Sequence, residues 1–270
     1  MREMSLAPGT IQTDAGIMPG PESVRCARSA GYSHVGLRVF QGTVDSAHPL
    51  QWKSPVWRET RNALSGEGIA PWEIEVILLS PDTVVDDFRA GLEAAAELGG
   101  RYVVVGTDDS NTSRLVDKLG ALCALAAQFR LDVVVEYIPY STTRSLTEAA
   151  ALVDACRASN AGILIDTLHF ARAGDSVEAI ARLDAKLFPY LQIADAPALS
   201  SADLEAVKHQ SRNGRLFPGE GALDLLSPIN ALPTDRLLSI EIINPVRCTA
   251  LGPLDHARRA RESLVSLLSP

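Results

Sequence analysis

The sequence is short of several things, and each shortage removes a class of function. No apolar run approaches the ~20 residues that a membrane helix requires, and the opening MREMSLAPGTIQTDAG has no apolar core of the secretory kind. A cytoplasmic chain is therefore expected. Basic residues are outnumbered, 25 Lys+Arg against 33 Asp+Glu for a net charge of −8, which argues against nucleic acid or an anionic membrane as partner. Cys26, Cys123, Cys156 and Cys248 are scattered with no CxxC pair, so they read as reduced thiols rather than a thiolate zinc site. The segment after Ile11, QTDAGIMPGPE, supplies no GxGxxG dinucleotide fingerprint. Low-complexity tracts and linker-like stretches are also missing, so residues 1–270 are expected to form one domain.

What is present is an alternation of short β-branched runs with longer Ala/Leu-rich stretches. The runs predict strands at Leu6–Ile11, His34–Val39, Glu73–Leu79, Tyr102–Val105, Val133–Glu136, Gly162–Asp166, Tyr190–Ala194 and Leu237–Glu241. Helical spacing of apolar residues covers 84–98, 115–129 and 146–158, with helix also expected at 203–211 and 222–232. Ser145 with Glu148 forms a capping-box pattern, and Gly99-Gly100 stops the helix before the fourth strand. The valine runs near 103–105 and 133–135 are apolar on consecutive positions, as in a strand covered on both faces, so the sheet should be parallel. Eight strands with intervening helices in 270 residues fit an α/β fold of the (β/α)8 TIM-barrel type.

In such a barrel the chemistry sits at the C-terminal ends of the strands. Strand five closes on Glu136 and strand six on Asp166. Strand seven carries Gln192, with Asp195 just beyond, and strand eight closes on Glu241. Any one of these carboxylates could simply cap a helix or pair with an arginine. Oxygen donors on four successive strands favour a shared divalent cation, because three converging carboxylates repel unless positive charge lies among them. An all-oxygen set of Glu136, Asp166, Gln192 and Glu241 suits a hard ion, Mn²⁺ or Mg²⁺.

Other residues are candidates for contact with a small-molecule substrate. His169 follows Asp166 by three; it could ligate metal but reads rather as facing substrate or supporting the metal's ligands, the alternative being a hydrogen-bonded loop histidine. Arg215 lies in the long connection between strands seven and eight, within RLFPGEG, and Glu220 in the same loop either meets substrate or braces it. Arg38 closes strand two, Glu75 lies inside strand three, and the two could pair near the mouth. Arg212 and Arg247 default to solvated surface. His34, His48, His209 and His256 show no metal spacing; His256 is expected at the surface, and only a weak substrate role can be argued for His48 and His209. Trp52, Trp57 and Trp72 either wall the pocket or pack in the core.

The runs VVVEYIPY, GILIDTLHFARAG, YLQIADAP, LFPGEGALDL and LSIEI together resemble the sugar phosphate isomerase/epimerase family of xylose-isomerase-like TIM barrels, from about Leu6 to the last helix. Asp-x-x-His in strand six and PGEG before the strand-eight glutamate are the most specific pieces. The resemblance implies metal ligation by Glu136, Asp166 and Glu241, and substrate contact by His169 and Arg215. The family usually carries histidine at the strand-seven position occupied here by Gln192, a neutral ligand. The superfamily includes ketose 3-epimerases, hydroxypyruvate isomerases, inosose dehydratases, 3-dehydroshikimate dehydratases and endonuclease IV. The last resembles it least, since five scattered histidines and the acidic balance argue against a histidine-rich metal site and a DNA-binding surface.

The implied reaction is proton abstraction beside a carbonyl, with Glu136 and Glu241 as base and acid. Epimerisation, aldose–ketose isomerisation and dehydration share that first step. An isomerase or epimerase acting on a keto-sugar or related polyhydroxy carbonyl compound is favoured over a dehydratase of a cyclic keto-acid or inosose-like substrate. A non-catalytic barrel with a weakened metal site is the third reading. Oligomeric state is open; a homodimer is the form such barrels often take.

Overall fold

A computed structural model of the chain describes residues 2–40, 50–199 and 203–269. Most of the connection after strand two, with His48, lies outside the described residues. Eight strands form one closed, wholly parallel barrel. They are β1 (Met4–Leu6), β2 (His34–Arg38), β3 (Ala70–Leu79), β4 (Tyr102–Thr107), β5 (Asp132–Glu136), β6 (Ala161–Asp166), β7 (Tyr190–Ile193) and β8 (Leu237–Ile240). β1 closes the cylinder, pairing Ser5 with His34 on one side and Met4 with Leu238 on the other. The helices that matter for the site are α1 (Thr167–Ala173), after β6, α2 (Leu204–Asn213), between β7 and β8, and the terminal α3 (Pro253–Leu268).

Side chains alternate across each strand, and the two faces build two cores. Outward residues such as Val103, Val105, Val133, Val135, Ile163, Leu191, Leu238 and Ile240 pack under the helices. Inward residues Val104, Val134, Leu164, Tyr190 and Leu237 form a separate cluster with Trp72, Val76 and Tyr102. There the Trp72 ring meets Tyr102 at 5.1 Å and Tyr190 at 6.2 Å between centroids. Two residues further along the same strands the inward positions turn polar. Glu136 follows Val134, Asp166 follows Leu164, Gln192 follows Tyr190, and Ser239 then Glu241 follow Leu237. The barrel is thus plugged by apolar side chains at its lower end and lined by polar ones at the rim, and each polar residue stands on a strand anchored by the layer beneath it.

Several boundaries differ from the sequence expectation. The first strand ends at Leu6, and Pro8–Ile11 is a 3₁₀ turn. Pro8 has no N–H for a sheet ladder, and the Thr10 hydroxyl instead donates to the Ile240 carbonyl at 2.6 Å. The helix expected over 222–232 shrinks to Leu226–Asn230. The N–H groups of Gly221, Ala222 and Leu223 are already bonded to Asp195 and Ala196, so they are not free to start a helix. His256 is not at the surface. It is fully buried with Ala257, Ala260 and Leu264 on the inner face of α3, its Nδ1 lies 2.9 Å from the Thr10 carbonyl, and its ring packs on Phe217 at 4.9 Å. Trp57 and Trp72 are core residues rather than pocket walls; the Trp57 indole donates to the Ala94 carbonyl. The caps hold as expected: Ser145 Oγ accepts from Glu148 N at 3.3 Å, Glu148 reaches back to Arg144 N at 2.6 Å, and Gly99 takes the left-handed conformation at φ 91°.

Leu164 is fully buried in the inner plug. Leu164→Ala is expected to cost about 2–5 kcal/mol by denaturant unfolding, through lost transfer energy and the cavity left behind. A loss below about 1 kcal/mol would mean that the plug can collapse around the gap.

Candidate metal centre and active site

The Asp-x-x-His spacing has a local cause. Asp166 ends β6 and is also the N-cap of α1: its Oδ1 accepts from the N–H groups of Leu168 at 2.8 Å and His169 at 3.0 Å. The capped turn folds His169 back over the strand end. One nitrogen of its ring then lies with carboxylate oxygens of Glu136 and Asp166 such that all three atoms fall within 4.8 Å of one another. His169 Nε2 is 3.7 Å from Glu136 Oε1.

Arg215 enters from the loop that follows α2. Its Nε donates to the Ser211 carbonyl at 2.9 Å, which fixes the stem. Its Nη1 donates to Asp166 Oδ2 at 2.5 Å and to the Glu241 carbonyl at 3.1 Å, and lies 3.1 Å from Glu241 Oε2. The guanidinium, only 2% exposed, therefore bridges the ends of β6 and β8. Asp195 holds the loop that carries it. That carboxylate accepts from the N–H groups of Ala196, Gly219, Gly221 and Leu223 at 2.8–3.1 Å. A Cβ on Gly221 would lie 2.2 Å from Asp195 Oδ1, so only glycine fits there.

Arg38 and Glu75 pair as the sequence suggested, at 3.1 Å. Glu73 also faces the barrel interior, and sequence reasoning missed it. It accepts from the Ser239 hydroxyl and from Gln192 Nε2, the latter at 3.2 Å. The signal was there in PWEIEVILL, two acids spaced two apart in an apolar run, of which only the second was noticed. Gln192 Nε2 also donates to Glu75 Oε1 at 3.3 Å, while Gln192 Oε1 is buried with no hydrogen-bond partner. Gln192 stands in register with Asp166 on β6 and Ser239 on β8.

Glu220 is not drawn into this cluster. It accepts from Phe217 N at 3.2 Å and pairs with Arg247, whose guanidinium also lies 3.8 Å from the Phe217 ring. Bracing the loop is therefore its place, and Arg247 is a structural partner rather than a solvated surface charge. Arg212 lies 5.4 Å from the Tyr140 ring, which in turn sits edge-on to His169 at 6.0 Å.

The electrostatics follow from burial. Among the described residues, Glu73, Glu75, Glu136, Asp166 and Glu241 confront two guanidiniums, Arg38 and Arg215. Burial, with Glu241 and Asp166 nearby, lifts Glu136 well above the carboxylate range. Burial pushes Glu241 up to about 8 against the pull of Arg215. Burial also raises Glu73, helped by Glu75. Burial opposes ionisation of Asp166 too, but Arg215, His169 and the capping N–H hold it below its ordinary value. Burial lowers His169 to about 4, so the ring is neutral near pH 7.

These residues fit a divalent cation. Negative groups are in surplus, the donors are chiefly oxygens, and the buried Gln192 Oε1 and His169 Nδ1 have no hydrogen-bond partner among the described residues.

The profile of the xylose isomerase-like TIM barrel family matches residues 24–267. The chain belongs to that family. The inosose isomerase of Bacillus velezensis is 24% identical over 198 residues, covering 68% of this chain and 69% of that protein. The 3-dehydroshikimate dehydratase of Pseudomonas aeruginosa is 31% identical over 262 residues, covering 87% of this chain and 38% of that larger protein. Among solved structures, the IOLI protein with a binding zinc atom superposes at a TM-score of 0.83 and 19% identity over 99% of this chain and 98% of its own, a likeness of fold.

The shift at Glu241 predicts a pH dependence. This carboxyl ionises near 4.5 when unperturbed but near 8 in the fold, so the native state holds the proton more tightly than the unfolded chain. Its contribution favours the fold at low pH and is lost progressively as pH rises from about 4.5 to about 8. The melting temperature of the chelator-treated protein should fall across that window, and Glu241→Gln should make the fall shallower. A wild-type melting temperature that rises through the window contradicts the assignment.

Proposed function

We propose that this chain is a divalent-metal-dependent isomerase or epimerase acting on a keto-sugar or related polyhydroxy carbonyl compound. The observation that carries the reading is the unpartnered Gln192 Oε1 at the rim where Glu136, Asp166 and Glu241 gather. Those four residues would hold the ion, with the His169 ring within reach of two of them. The largely oxygen donor set favours Mn²⁺ or Mg²⁺. When bound, the cation would supply Lewis-acid polarisation of the substrate carbonyl and offset the charge that grows as a neighbouring C–H proton leaves.

The remaining work falls to the chain. Glu136 and Glu241 stand on strands separated by β6 and β7, so they approach a substrate from different sides. One removes the proton and the other returns it, which inverts a carbon; transfer of the proton to the adjacent carbon gives aldose–ketose isomerisation. His169, neutral near pH 7, serves as a hydrogen-bonding group for a substrate oxygen rather than as a second cation. Arg215 remains tied to Asp166 and keeps the two carboxylates on β6 and β8 in place. Arg38 and Glu75 border the same interior and offer polar contact to substrate hydroxyls. The partner in this reading is a small molecule, not nucleic acid or a membrane. The cell compartment is the cytoplasm, where four free thiols persist.

A lyase reading has specific support in the dehydratase relative, which matches 87% of this chain. Both readings share the first proton abstraction, and product mass separates them. The test is a screen of polyhydroxy ketones with Mn²⁺ in D₂O. Isomerisation or epimerisation leaves the product isomeric with the substrate except for deuterium gained at carbon, whereas loss of one water makes the enzyme a lyase. Glu241→Gln should lower kcat/KM by ~10²–10⁴ with the fold intact. Turnover that is unaffected by both chelation and Glu241→Gln would end the proposal.

A further inference from the structure

Gln192 is a neutral amide in a site otherwise made of charge, and an amide has two chemically opposite ends. Only the oxygen can serve a cation; the NH₂ end would repel it. What decides the orientation lies behind the residue, on β3. Gln192 Nε2 is 3.2 Å from Glu73 Oε2 and 3.3 Å from Glu75 Oε1. Glu75 is bound to the Arg38 guanidinium at 3.1 Å, and Glu73 takes the hydroxyl of Ser239. Turning the amide over would press its oxygen against two carboxylates, one of them held by an arginine. All three side chains are at most 3% exposed, so no bulk water relieves the wrong orientation. Correctly placed, the amide satisfies both N–H groups behind it and leaves Oε1 without a partner.

We propose that Glu73 and Glu75 are positioning residues for metal binding, which together lock the Gln192 amide with its oxygen presented as a ligand. The inference rests on the metal-dependent reading above. The β3 pairing is irregular in the same stretch. Glu73 and Glu75 sit two apart beside Ile74, and the register with β4 shifts between Ile74 and Ile77. Gly36 on β2 leaves the room Glu73 needs, since a Cβ there would come within 2.9 Å of that side chain.

The test is a double-mutant cycle on Mn²⁺ affinity, measured by calorimetry on the full chain after chelation and desalting. Glu75→Gln and Glu73→Gln should each weaken binding about tenfold or more, as expected when the group that orients a ligand is lost. Removing a negative charge weakens cation binding by itself, so the decisive arm is the Gln192→Ala background. If the two glutamates act through the amide, most of their effect disappears there; an undiminished effect means plain electrostatics and overturns the proposal. A wild-type chain that binds no Mn²⁺ sinks both this inference and the function it rests on, whereas binding without coupling sinks this one alone. Should a β3 variant fail to fold, the wild-type amide itself gives the answer. With glutamine labelled in ¹³C and ¹⁵N, and the Gln192 signals assigned by their loss in Gln192→Ala, Mg²⁺ should shift the Gln192 side-chain carbonyl while its NH₂ protons stay protected from exchange. An unshifted carbonyl, or freely exchanging NH₂ protons, overturns the proposal.

Discussion

Crowding of like charge at one end of a closed barrel is the constraint on which the rest of this structure depends. Five inward carboxylates share the rim and upper interior with two guanidiniums, largely out of water. At such separations in a medium of low effective dielectric, like charges cost several kcal/mol unless they are neutralised or paired. The protein answers in three ways at once. Arg215 bridges Asp166 and Glu241, Arg38 pairs with Glu75, and burial lifts the carboxyls left over, Glu73 and Glu136, well above their ordinary value. Arg215 thereby ties the end of α2, through the Ser211 carbonyl, to the ends of β6 and β8.

The lower barrel makes such a rim tolerable. The inward layer of Val104, Val134, Leu164, Tyr190 and Leu237 is apolar and packed, with Trp72 and Tyr102 against it. Each fully buried large side chain contributes on the order of 1.5–3 kcal/mol. One strand period higher, the same strands carry polar groups whose proximity opposes folding. The division of labour is vertical: stability below, chemistry above, with the backbone ladder transmitting the position of one layer to the next.

Much of this was legible in the sequence. The eight-strand barrel, the strand ends at Glu136 and Asp166, and the Arg38–Glu75 pair all follow from local patterns: apolar runs closed by an acid, and a charge inside a run that needs a partner. The features that escaped depend on residues remote in the chain. His256 appeared to be a surface residue because nothing near it in sequence reveals that α3 lies over Thr10. Glu220 could equally have met substrate until Arg247, 27 residues on, was found to claim it. Glu73 was passed over because its partners, Gln192 and Ser239, lie 119 and 166 residues away. The helix expected at 222 fails for the same reason, since Asp195 takes the N–H groups that would have started it. Periodicity reports which face a residue occupies; it does not report who meets it there.

On the proposed function, the protonation pattern would tie cation binding to acid–base readiness. A proton-bearing Glu136 or Glu241 is no base, and both are pushed toward that form by burial and by their neighbours' charge. Positive charge in their midst favours the ionised forms, so occupancy of the site and ionisation of the two glutamates are linked and each promotes the other. In the proposed reaction the linkage would set a condition: the two glutamates would become competent to take a proton only when positive charge is also present. His169 does not disturb this balance, because burial keeps it neutral and it adds no competing cation. Arg215 cannot substitute for the missing charge, since its Nη1 is already committed to Asp166 and Glu241. On the proposed function the surplus of carboxylates over guanidiniums would serve the site, since one more arginine there would favour the ionised glutamates whether or not a cation is bound.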